Sequence, residues 1–105
     1  MRFSVGMTKG DKPSWWLYGG NNKQVAWAGE TFASMSNANR AAKAFKAGAK
    51  TARYDVYEDA GGHWRWRAWR ASDKVASSGE SFSSKYAADR AAENVRDNGG
   101  SASGL

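Results

Sequence analysis

Residues 75–95, VASSGESFSSKYAADRAAENV, have an earlier echo in residues 25–45, VAWAGETFASMSNANRAAKAF. Val25, Ala26, Gly29, Glu30, Phe32, Ser34, Ala38, Arg40, Ala41 and Ala42 all recur 50 positions later. Self-similarity at a fixed period is the mark of a duplicated unit, and it decides how the rest of the chain is parsed. Each copy opens on a short apolar run, breaks at Gly-Glu (Gly29-Glu30, Gly79-Glu80), and then changes to helical period. Ala38, Ala41, Ala42 and Phe45 fall on one helical stripe, as do Ala88, Ala91, Ala92 and Val95. Ser34 or Ser36 caps the first helix and Ser83 or Ser84 the second, since a serine hydroxyl accepts from the orphaned first-turn amides. Gly48 sits where a left-handed C-terminal cap would end the first helix.

Working outward, the residues before each echo read as strands. Phe3-Ser4-Val5, Ser14 to Tyr18 and Gln24 to Ala28 are separated by turn chemistry at Lys9–Pro13 and at Gly19-Gly20-Asn21-Asn22. In the second copy Arg53 to Glu58, His63 to Arg70 and Lys74 to Ser78 alternate with turns at Asp59–Gly62 and Ala71–Asp73. The order is βββα twice. Antiparallel strands joined by short turns leave one sheet face for the helices to cover, so the expected fold is a two-layer α+β sandwich with one helix per repeat. Repeat 1 spans 1–50 and repeat 2 spans 51–100, sharing one core because a 50-residue unit is marginal alone. Residues 101–105 are expected to be a disordered tail.

Composition narrows the function classes. The 105 residues contain no cysteine, so disulfides and thiolate metal sites are excluded. The N-terminus lacks an apolar signal-peptide core and no apolar run is long enough to span a bilayer, so a cytoplasmic location is expected and no membrane partner. The net charge is +6, and its distribution is uneven: residues 1–50 hold eight basic groups against two acidic ones, while residues 51–105 hold eight of each. Such asymmetry points to an anionic partner, although solubility alone also accounts for it.

The second copy carries the strand Tyr54-Asp55-Val56-Tyr57, the strand Trp64-Arg65-Trp66-Arg67, the segment Ala76-Ser77-Ser78 and the helix start Phe82-Ser83-Ser84-Lys85. In these motifs the chain resembles the YegP-like family, domain of unknown function 1508, over essentially its whole length as two tandem repeats. The first copy departs from the pattern: Trp15 and Leu17 stand in place of the two arginines, Trp27-Ala28 in place of Ser-Ser, and Met35 in place of the lysine. The resemblance implies the duplicated βββα fold and carries no established activity, cofactor or catalytic residue.

Three surfaces are candidate sites. The first is a basic ridge on helix 1, Arg40, Lys43, Lys46 and Lys50, supported by Lys23, which suits a phosphate backbone. A charged face is also what any solvated amphipathic helix shows. Arg40 and Glu30 recur as Arg90 and Glu80, a pairing that would bracket the turn into each helix. The second surface is the stripe His63, Arg65 and Arg67 with Trp69, where interleaved cations and aromatics stack bases and hold phosphates. The bland alternative is that these arginines solvate the outer sheet face. The third applies the 50-residue match to strand 2. It places Trp15 and Leu17 on the sheet face that the other copy makes cationic, forming with Trp27 a patch for a homodimer or another protein. A one-residue shift, or a loop folded over these residues, would remove that patch.

Enzyme chemistry finds little support. His63 is the only histidine and adjoins no nucleophile motif; Asp55, Glu58 and Asp59 match no calcium-loop spacing. Gly19-Gly20 and Gly61-Gly62 read as hairpin turns. The expectation is a small basic binding protein, not an enzyme, with no cofactor or metal. Its partner is either low-specificity DNA or RNA or, alternatively, a protein, which includes a second copy of the chain.

Overall fold

The computed structural model describes all 105 residues. Strands β1 (Arg2–Met7), β2 (Pro13–Tyr18) and β3 (Gln24–Trp27) precede helix α1 (Met35–Gly48). Strands β4 (Arg53–Glu58), β5 (Trp64–Arg70) and β6 (Asp73–Ser77) precede helix α2 (Lys85–Asn98), which runs into a 3-10 turn at Gly99–Ser101. All strands join one antiparallel sheet in the order β1-β2-β3-β6-β5-β4. The halves meet at the centre through a single register pair, Trp27 with Ser77. The fold is α+β.

Both helices lie on the same face. One continuous core joins Phe3, Trp15, Leu17, Ala26 and Phe45 to Trp66, Ala68, Ala76, Ala92 and Val95. The alanine stripes explain the close approach: Ala38 and Ala42 on α1, and Ala88 and Ala92 on α2, are buried where larger side chains would hold helix and sheet apart. The space is filled by aromatics. Trp15 stacks on Phe45 at 5.2 Å between centroids and meets Phe3 edge-on at 5.6 Å. In the other half Trp66 leans on Tyr54 at 5.6 Å. The Tyr54 hydroxyl donates to the carbonyl of Ala49 at 2.7 Å, tying the second half to the end of α1, and burial raises its pKa.

This packing overturns the expected Trp15–Leu17 surface patch, since both residues are fully buried. The reason is register. Leu17 pairs with Ala26 across the β2–β3 hairpin and Ala68 with Ala76 across the β5–β6 hairpin, so the first hairpin is one residue longer. Downstream of it the halves match at a spacing of 50, and upstream at 51. Trp15 therefore corresponds to the buried Trp66, and Trp16 corresponds to Arg67. A one-residue slip exchanges the two faces of a strand.

The helix ends follow local chemistry. Ser34 Oγ accepts from the amide of Asn37 and Ser84 Oγ from that of Ala87, each at 3.1 Å. Gly48 is not a left-handed cap: it is the last residue of α1, the cap residue Ala49 is right-handed (φ −57°), and no positive φ occurs there. Of residues 101–105, expected to be a disordered tail, Ser101 closes the 3-10 turn and Ala102 and Ser103 lie along β1. The Phe3 amide donates to Ser103 O at 2.8 Å, the Ser103 amide to Met1 O at 3.1 Å, and Ala102 is buried.

Candidate functional site

With the helices on one face, the other face of the six-stranded sheet is left uncovered. Strand alternation decides what it displays. Because Phe3, Leu17, Tyr54 and Ala68 point to the core, their neighbours Arg2, Tyr18, Arg53 and Trp69 point outward. So do Trp16 and Trp27, which face each other across β2 and β3, and Arg65, Arg67, Asp55 and Tyr57 on β4 and β5. Trp16, Tyr18, Trp27, Tyr57 and Trp69 are all half-buried. Half-buried rings of this kind join a large apolar body to an accessible remainder.

Cations are interleaved with these rings. The Arg67 guanidinium lies 3.9 Å from the Tyr57 ring centre and 5.8 Å from that of Trp69. Arg53 caps Trp69 at 5.7 Å and Arg2 caps Tyr18 at 4.9 Å. Arg67 Nε and Trp69 Nε1 are buried without a hydrogen-bond acceptor in the chain. Lys74 crosses the central seam to donate to Gly29 O at 3.1 Å. Arg65 is engaged otherwise: it donates to Asp59 at 2.8 Å. That bond, with the amides of His63 and Gly61, holds the Asp59 carboxyl below the usual carboxylate range. No arginine or lysine caps Trp16 or Trp27.

The residues singled out from sequence fall on two separate surfaces. Arg65, Arg67, Trp69 and Trp27 share the open sheet face. Arg40, Lys43 and Lys46 lie on α1 and Lys50 just beyond its C-terminal end, across the core from it. Lys43, Lys46 and Lys50 line a groove of about 390 Å³ with Ala47, Gly100 and Leu105. None of the chain's ion pairs involves these lysines or Arg40. On α2, by contrast, Lys85 pairs with Asp89, Arg96 with Asp97, and Arg90 donates to the Tyr86 hydroxyl. Neither Arg40–Glu30 nor Arg90–Glu80 forms; Glu80 sits instead 4.0 Å from Lys23, whose side chain is 66% exposed in the β2–β3 turn.

Sequence reasoning missed the rings Trp16, Tyr18 and Tyr57 and the cations Arg2, Arg53 and Lys74 of this face. The signal was present: Val5–Val56, Gly10–Gly61 and Trp15–Trp66 are identical at a spacing of 51, against the single Trp16–Trp66 identity at 50 in the second strand. No group of three His, Asp or Glu side chains is placed to hold a metal ion. No helix is long and apolar enough to cross a membrane.

Fold and site together define a small α+β domain with one helix-covered and one open aromatic sheet face. Two solved structures share this architecture. A UPF0339 protein from Shewanella oneidensis superposes with a TM-score of 0.81 at 18% identity, covering 98% of this chain and 88% of that one. The E. coli protein yegP, of unknown function, superposes with a TM-score of 0.77 at 16% identity, covering 97% and 88%. The chain thus has a YegP-like fold. No protein-family model matches the sequence, and no curated relative does.

Proposed function

We propose that the chain is a non-enzymatic binding protein that takes single-stranded DNA or RNA on its open sheet face with little sequence preference. The observation that carries this reading is the alternation of half-buried rings (Trp16, Tyr18, Trp27, Tyr57, Trp69) with cations (Arg2, Arg53, Arg67, Lys74) on one uncovered surface. Every base offers a π-face, so stacking is sequence-tolerant, and the interleaved cations neutralise the backbone that links the stacked bases. Trp16 and Trp27, free of capping cations, are the first stacking platform; Arg67, held 3.9 Å from the Tyr57 ring centre, exchanges its 4.0 Å ion pair with Asp55 for a phosphate. A duplex hides its base faces and gains only the electrostatic part. We also read the two βββα segments as copies of one unit and place the protein in the cytoplasm.

The test is tryptophan fluorescence titrated with oligothymidylate and with duplex DNA across a salt series. Arg2, Arg53, Arg67 and Lys74, leaving aside Arg65 in its pair with Asp59, predict a log–log salt slope of about −3 for the single strand. Trp16→Ala and Trp27→Ala each weaken single-strand binding by about 1–3 kcal/mol, roughly 5- to 150-fold. Binding that is unchanged in both variants, or equally tight for duplex, sinks the proposal. Absence of any quenching at low salt turns the search to a protein partner for the same face.

A further inference from the structure

The sheet face and the α1 groove are two cationic surfaces separated by the core of the molecule, which measures 35 × 31 × 29 Å. At physiological ionic strength the screening length is about 8 Å, so charge bound at one surface is scarcely felt at the other. The groove is not demanded by the fold. At the corresponding positions the second half carries Glu93 and Arg96 on α2 and Gly100 in the 3-10 turn in place of Lys43, Lys46 and Lys50, and Arg96 is neutralised by Asp97. Lys43, Lys46 and Lys50 form no direct ion pair, Lys50 acting on Asp97 only at longer range, and they share the wall of one solvent-open groove. Lys43 and Lys46 lie one turn apart on α1 and Lys50 follows just beyond its end, so the three cations can meet neighbouring phosphates of one strand. The groove has no aromatic lining, so it offers charge without stacking.

The geometry points to a bivalent protein: one polynucleotide segment stacks on the sheet face while a second is held by its phosphates in the Lys43–Lys46–Lys50 groove, so that a single molecule bridges two strands. This rests on the single-strand reading of the sheet face above. A strand lying across the sheet reaches the groove only by turning round the edge of the molecule. A second segment meets it directly and raises the effective concentration of the two strands for one another.

The experiment mixes two oligothymidylates, one carrying a donor dye and one an acceptor, with increasing protein. Bridging makes energy transfer rise, then fall once protein exceeds strands and each strand has its own molecule. In the triple variant K43E/K46E/K50E, transfer falls at least about tenfold, while tryptophan quenching by one strand stays within about threefold of the parent. K43R/K46R/K50R keeps both signals, which separates charge from any role of these side chains in folding. Quenching without energy transfer in the parent protein refutes bridging and leaves the sheet-face reading standing. No quenching at all refutes both. Transfer that survives in the charge-reversed variant, together with a doubled mass in sedimentation, assigns bridging to a dimer of sheet faces and overturns the proposal.

Discussion

Replacing Trp15 by alanine and, separately, Trp16 by alanine tests the face assignment on which the functional reading depends. Trp15 is fully buried, stacked on Phe45 at 5.2 Å and edge-on to Phe3 at 5.6 Å. Truncating a buried tryptophan costs about 3–5 kcal/mol in lost transfer energy and residual cavity. The two aromatic pairs place this site at the upper end, because each such pair contributes about 0.5–1.5 kcal/mol beyond its buried area. A domain of this size has roughly 5–15 kcal/mol of stability in all. At about 4–8 °C per kcal/mol, Trp15→Ala lowers the melting temperature by roughly 20 °C or more. Trp16 lies on the open face, half-buried, its ring over Gly6. Its removal costs about 1 kcal/mol or less, near the range of surface substitutions. The assay is urea and thermal unfolding followed by far-UV circular dichroism, since fluorescence would be altered by the deletion itself. A Trp16→Ala loss equal to or greater than that of Trp15→Ala would mean that β2 presents its other face, and the reasoning would fail.

Three further outcomes follow from local structure. Asp59 is held below its ordinary pKa by Arg65 and by the amides of His63 and Gly61, so its contribution to stability is present above the unfolded carboxylate pKa and is lost as pH falls through the lower folded value. Asp59→Asn should remove that segment of the acid-side slope in urea midpoints measured from pH 6 downward, and an unchanged slope would show that the pair is immaterial. Ser34→Ala and Ser84→Ala each delete a cap bond of 3.1 Å and should cost about 1 kcal/mol in the urea midpoint, the two effects adding in the double variant. Gly29 has φ +79° and a Cβ there would lie 3.1 Å from Lys74 Cε, so Gly29→Ala should destabilise by about 1–2 kcal/mol. Gly20, with nothing within 4 Å, is its neutral control in the same thermal assay.

The element order was legible from sequence because it rests on short-range physics. Period-2 runs such as Arg53–Glu58 and period-3.6 stripes such as Ala38, Ala42 and Phe45 can satisfy their backbone in one way each, and the glycine- and asparagine-rich turns between them mark the hairpins. Each cap was legible to within two serines, Ser34 or Ser36 and Ser83 or Ser84, and the structure selects Ser34 and Ser84. The charge asymmetry was also plain, being a property of composition. What could not be read was which side of β2 meets the core. The 50-residue echo lies almost wholly downstream of the β2–β3 hairpin, so it is blind to one extra residue within that turn, and a single residue reverses every side chain before it. Only the paired sheet, with Leu17 opposite Ala26 and Ala68 opposite Ala76, resolves it.

The same limit applies to the candidate sites. Sequence identified Lys43, Lys46 and Lys50 as a ridge and Arg67 and Trp69 as neighbours, because helical and strand spacing are local. It could not say that the two groups lie across the core from each other, that Lys85 and Arg96 of α2 are paired with carboxylates while Arg40, Lys43 and Lys46 of α1 are not, or that Ala102 and Ser103 return to lie along β1. Those are consequences of how the two layers stack and of which chain segments they bring within a few ångströms. Side-chain period belongs to the strand or helix alone. The partner each side chain meets is settled only when the sheet closes at Trp27 and Ser77 and both helices compete for one face of it.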